Sequence, residues 1–120
     1  MKLQWRVMIC AGLLALPFAV LADGGEVDGK KLYQALCTQC HGTQGDGKGI
    51  NAAHMSVQPR SHIDTAEMST RTDDDLYKVI EQGGKAINKS VLMPAWKDNL
   101  SEAQINALVK HLRDLCCSAD

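Results

Sequence analysis

The chain has 120 residues, with 13 Lys and Arg against 14 Asp and Glu, and a formal charge of −1. That balance excludes the basic surface a nucleic-acid binder needs. Hydrophobic residues make up 45% but aromatic residues only 4%, and one domain of about a hundred residues buries a modest core, so a large apolar cofactor would serve it well.

Residues 1–22 have the pattern of a secretory signal peptide. Lys2 and Arg6 supply a positive start, Val7 to Leu16 an apolar stretch, Pro17 a break, and Val20-Leu21-Ala22 a small-residue cleavage site. The apolar run Val7–Ala22 has 16 residues, short of the roughly 20 a spanning helix needs, so a cleaved leader is expected rather than an anchor. Cys10 lies inside the run and not at its end, which argues against lipoprotein processing. Cleavage after Ala22 leaves a domain of residues 23–120, with 11 basic and 14 acidic residues, or −3, and with Tyr33, Tyr77 and Trp96 as its aromatics.

Asp23 to Asp28 is acidic and reads as a frayed start. Gly29 to Leu36 then reads as a helix with Leu32, Tyr33 and Leu36 on one face, and Gly29 stacks on the same side as Tyr33. A glycine within a helix costs about 1 kcal/mol relative to alanine, so close helix contact is expected at Gly29. Next comes Cys37-Thr38-Gln39-Cys40-His41, the C-x-x-C-H attachment signature of c-type haem. Two thiols one helical turn apart can add to the two vinyl groups of one porphyrin, and the adjoining imidazole can hold the iron from one side. A thioredoxin-like pair would want a βαβ pattern, which is not visible. A zinc site would want a second ligand pair at suitable spacing, which Cys116-Cys117 does not offer. The motif occurs once, so one haem is expected.

Gly42 to Gly49 is a Gly-dense polar loop. It lacks the Lys-Ser/Thr ending of a phosphate loop and no strand precedes it, so a loop along the haem edge is the better reading. Asn51 to Ser69 has no clear assignment. Thr72 starts a further helix, with a capping side chain followed by Asp73, Asp74 and Asp75 where the helix dipole favours carboxylates. Leu76, Tyr77, Val79 and Ile80 form its buried stripe, and Gly83-Gly84 ends it. The acidic triplet reads as a solvated helix start rather than a docking patch. Ser101 and Gln104 form a capping box, opening a last helix whose apolar face is Ile105, Leu108, Val109, Leu112 and Leu115.

The iron's other side has six candidates: His54, Met55, His62, Met68, Met93 and His111. Met93 stands out in Leu92-Met93-Pro94-Ala95-Trp96, because proline after methionine fixes an extended approach. His54 and Met55 follow the proximal residue too closely to cross the ring, His111 belongs to the packing face of the last helix, and a methionine elsewhere is core filler by default. Trp96 is expected to cover the haem, to donate its indole N–H near a propionate, or to pack in the core. At the C-terminus, Cys116 continues the buried face and Cys117 points outward. An oxidising compartment disfavours a lasting free thiol, which leaves two arrangements: a disulfide through Cys117 to a second copy or partner, or a frayed terminus with a vicinal or capped pair.

On the C-x-x-C-H pentapeptide, the Met93-Pro94 segment and the helices at either end, the chain resembles the small class I c-type cytochromes of bacteria over nearly all of residues 23–120. The resemblance implies an all-α, cytochrome c-like fold of three to four short helices around one haem c, covalent through Cys37 and Cys40, with His41 and Met93 as axial ligands. It implies that Gly29 and Tyr33 pack against the last helix at Leu108 and His111, the latter a departure from the usual tyrosine. It also implies that the neighbourhood of Pro59 offers a carbonyl to the axial histidine. The expected function is electron transfer in the periplasm, not enzymatic catalysis. The domain would act either as a carrier between a donor and an acceptor redox protein, with a membrane oxidase or reductase as one candidate, or as the cytochrome subunit of a larger respiratory complex. Two rivals belong to other classes: a gas-binding or peroxidase-like haem protein with a displaceable distal ligand, and a thiol-based redox or assembly factor using Cys116 and Cys117.

Overall fold

Residues 25–118 are described in the computed structural model, and the expected leader at 1–22 lies outside them. Among the described residues there are helices and turns and no strand. The three helices expected from the apolar periodicity all form: α1 over Gly29–Leu36, α4 over Asp73–Gln82 and α5 over Glu102–Cys117. Between them lie two single-turn helices, α2 at Thr38–His41 and α3 at Thr65–Met68, and two 3-10 turns at Ala52–His54 and Gly84–Ile87. No helix among the described residues is long and apolar enough to cross a membrane.

Each longer helix begins on a side-chain cap. Asp28 accepts from the Lys31 amide at 3.0 Å, so the end of the stretch read as frayed is the N-cap of α1. Thr72 accepts from the Asp75 amide at 3.1 Å while Asp75 accepts from the Thr72 amide at 2.9 Å, and Ser101 and Gln104 make the same reciprocal pair at 3.3 and 2.9 Å. These bonds satisfy amides that an isolated helix leaves open. Asp75 therefore closes a capping box, and Asp73 bonds Arg113 Nε at 2.7 Å, so two of the three acidic residues are spent on structure.

The core lies where α1, α3 and α4 meet α5. Tyr33, Met68, Leu76 and Ile80 pack onto the α5 face of Ile105, Leu108, Val109 and Leu112. The crossing of α1 and α5 is close enough to need glycine, since a Cβ at Gly29 would sit 2.0 Å from the Ala107 carbonyl oxygen. His111 meets Tyr33 edge to face with ring centroids 5.1 Å apart, a geometry that aromatic rings favour. Arg113 ties the other end of α5 down: besides Asp73, its guanidinium donates to the carbonyls of Met68 at 3.0 Å and Arg71 at 2.6 Å.

Candidate haem site

Two backbone arrangements bring residues far apart in sequence to one cavity. In the first, α2 follows α1 after the single residue Cys37, whose amide donates to Tyr33 O and whose carbonyl accepts from His41 N, both at 2.9 Å. The Gly-dense loop then folds back on α2 through Gly47 N to His41 O at 2.8 Å and Gly49 N to Cys40 O at 3.0 Å. The second arrangement holds the Met93 segment against the end of α4. Gly84 N donates to Met93 O at 3.0 Å, and Trp96 N and Lys97 N donate to Ile80 O and Glu81 O, each at 3.1 Å. Carbonyls that the end of α4 would leave open are thereby satisfied by the segment that carries the methionine. Gly83 makes the approach possible: it sits at φ +79°, and a Cβ there would lie 2.8 Å from Met93 O.

The cavity has a volume of about 760 Å³ and is lined by Cys37, Cys40, His41, Met93 and Trp96 among others. That is within the range of about 300–1,000 Å³ typical of cofactor sites. Cys37 and Cys40 are both free thiols and not a disulfide; burial pushes the Cys37 thiol up to about 11, with the neighbouring Cys40 acting in the same direction. His41 Nδ1 lies 3.0 Å from the Arg60 carbonyl. A carbonyl only accepts, so the proton is on Nδ1 and the Nε2 lone pair is left for a metal. Burial lowers the His41 pKa, with the Arg60 carbonyl opposing it, which favours the neutral, ligating form. The carbonyl belongs to the residue after Pro59, in the neighbourhood the resemblance implied.

Of the other five candidates for a sixth ligand, Met55 and His62 line the cavity, whereas His54, Met68 and His111 do not. Met68 is fully buried in the core. His62 lies against His41 itself, the two rings stacked with centroids 4.2 Å apart and planes 19° from parallel. Its Nδ1 is 3.0 Å from the Tyr33 hydroxyl, and burial together with His41 pushes its pKa down to about 3, so it is a neutral neighbour of His41. Nothing in the sequence singled it out for that role. Trp96 is half-buried, lines the cavity and packs on the core.

A haem c fits these residues. The cavity offers two thiols, a neutral imidazole with its lone pair free and a thioether, and for the propionates it offers cations at Arg60, Arg71, Lys78 and Lys89. Arg71 Nε is buried with no hydrogen-bond partner in the protein, a donor that an anionic group would satisfy. At the C-terminus, Cys117 is bonded to Cys116, so of the two arrangements open to this pair the structure has the vicinal one.

A family model described as "Cytochrome C oxidase, cbb3-type, subunit III" matches residues 26–112. No curated protein sequence matches the chain. Among solved structures, the KustC0563 c-type cytochrome superposes with a TM-score of 0.61 at 24% identity, over 75% of this chain and 99% of that one. A chain of the Kuenenia stuttgartiensis reducing HAO-like protein complex Kustc0457/Kustc0458 does so with a TM-score of 0.59 at 29% identity, over 74% of this chain and 41% of that one. The all-helical fold is that of the c-type cytochromes, and with 26–112 matched the chain belongs to the cbb3-type cytochrome c oxidase subunit III family, a cytochrome domain of the kind that binds haem c covalently and transfers electrons.

Proposed function

We propose that this domain is a periplasmic one-electron carrier with a single haem c, joined through Cys37 and Cys40 and ligated by His41 and Met93. The observation that carries the reading is the convergence of those four side chains on one cavity, each on a backbone fixed by its own hydrogen bonds. Bound haem c supplies an iron that alternates between Fe(II) and Fe(III). The Arg60 carbonyl keeps the His41 proton on Nδ1 and the lone pair on Nε2. The Gly84 and Trp96 contacts hold the Met93 segment, so the thioether would keep one place in both oxidation states, where its ligation would favour the reduced iron. With His41 and Met93 both holding the iron, no site would be open to substrate, and the domain would act as a carrier rather than an enzyme. Its partners are redox proteins, a membrane oxidase or reductase among them; membership of an oxidase-subunit family and likeness to a chain of a protein complex support that view. Export through cleavage after Ala22 supports the periplasmic setting, because thioether attachment belongs to that compartment in the class I cytochromes the chain resembles.

The test is made on protein exported with its leader in a host that attaches haem. The haem should stay on the wild-type chain after acid–solvent extraction and be lost from a Cys37→Ala, Cys40→Ala double variant. The reduced protein should refuse carbon monoxide at neutral pH. Ready carbon monoxide binding would instead favour the gas-binding class.

A further inference from the structure

The proximal side of the cavity holds a contact that haem attachment does not require. His62 is 8% exposed and its ring lies flat on that of His41, 4.2 Å away and 19° from parallel. It is fastened at two points. Its amide donates to Gly45 O at 2.6 Å, and its Nδ1 is bonded to the Tyr33 hydroxyl at 3.0 Å. Tyr33 is fixed in turn, 2% exposed in the α1–α5 core and edge-on to His111. Rigidity therefore runs from the helix crossing through Tyr33 to His62 and on to His41.

The mechanics of an imidazole explain what this adds. The bond from Nδ1 to the Arg60 carbonyl fixes where one edge of the His41 ring points, but it leaves the ring free to rock about the Nδ1···O line. A flat, immobile neighbour against its face removes that freedom. The segment 60–62 supplies both restraints, a backbone oxygen from one residue and a side-chain ring from the residue two further on. Outer partners of metal-bound histidines commonly set ring orientation and ligand basicity. The plane of an axial imidazole in turn sets the in-plane anisotropy of a low-spin ferric iron.

We propose that His62, anchored by Tyr33, is a positioning residue for His41: its ring, together with the Arg60 carbonyl, fixes the plane in which the His41 imidazole meets the iron. The inference rests on His41 being the proximal ligand.

The measurement is the pattern of haem-methyl hyperfine shifts in the NMR spectrum of the oxidised holoprotein, with its EPR g-values, both of which read the axial-ligand plane rather than stability. His62→Phe keeps a flat ring without the nitrogens and should retain the wild-type pattern. His62→Leu has similar bulk and no flat face, and should displace the methyl shifts and g-values. Identical spectra for wild type and His62→Leu would overturn the proposal, as would a His62→Phe pattern displaced as far as the Leu one. Should the Leu variant fail to take up haem, His62→Ala gives the same reading, because it too removes the flat face: the pattern should move, and an unchanged pattern overturns the proposal. A wild-type protein lacking a low-spin, histidine-ligated haem would overturn the site reading itself, a failure visible before any variant is compared.

Discussion

Gly29 shows how much a single residue can reveal before any contact is seen. Its place four before Tyr33 on a helix put both on one face, and the 2.0 Å gap between an added Cβ and the Ala107 oxygen confirms that the face is a close helix crossing. The usual gain of about 1 kcal/mol for replacing glycine by alanine in a helix should therefore change sign. Gly29→Ala should destabilise the haem-loaded protein by about 1–3 kcal/mol, as overpacking does, in urea unfolding. A stabilised variant would show that α1 and α5 do not touch there. The same face of the sequence said nothing of the Tyr33 hydroxyl, whose partner His62 is 29 residues away. Side-chain periodicity tells which way a ring points but not which distant polar atom it meets. His62 was therefore weighed only as a sixth ligand, while the structure stacks it on His41.

Helices were legible where caps and apolar stripes coincide, as at Thr72 and Ser101. The stretch 51–69 was not, because its elements are single turns too short to show a period. One local signal was available in Asp64-Thr65-Ala66-Glu67, where the Asp64 carboxylate accepts from the Glu67 amide at 3.1 Å and caps α3. Arg113 was equally silent in sequence, although it joins α5 to the carbonyls of Met68 and Arg71 and to Asp73. Its two carbonyl bonds are partly buried and charge-assisted, a class worth about 1.5–3 kcal/mol. The Asp73 side chain is 70% exposed, where ion pairs contribute about 0–1 kcal/mol. Arg113→Met should thus cost at least twice as much as Asp73→Asn in the same unfolding experiment. Equal losses would mean that the ion pair, and not the carbonyl contacts, holds α5 to the α3–α4 junction.

At the scale of the molecule, the attachment motif and the helices at both ends gave the fold class and the cofactor, because covalent chemistry at fixed spacing leaves few alternatives. The role of the cysteine pair was open in the sequence, since an outward-pointing Cys117 can bond either its neighbour or another chain. With Cys117 bonded to Cys116, the purified protein should run wholly as monomer on a non-reducing gel. A dimer band lost in Cys117→Ser would show that the pair opens to join two chains. Met93, held to the end of α4 through Gly84 and Trp96, is the residue proposed for the iron's far side. That proposal is tested most directly by the weak far-red absorption band of the oxidised protein, the mark of iron–thioether ligation. Wild type should show the band and Met93→Ala should lose it, whereas a band that survives in the variant would assign the distal position to another residue and contradict the account.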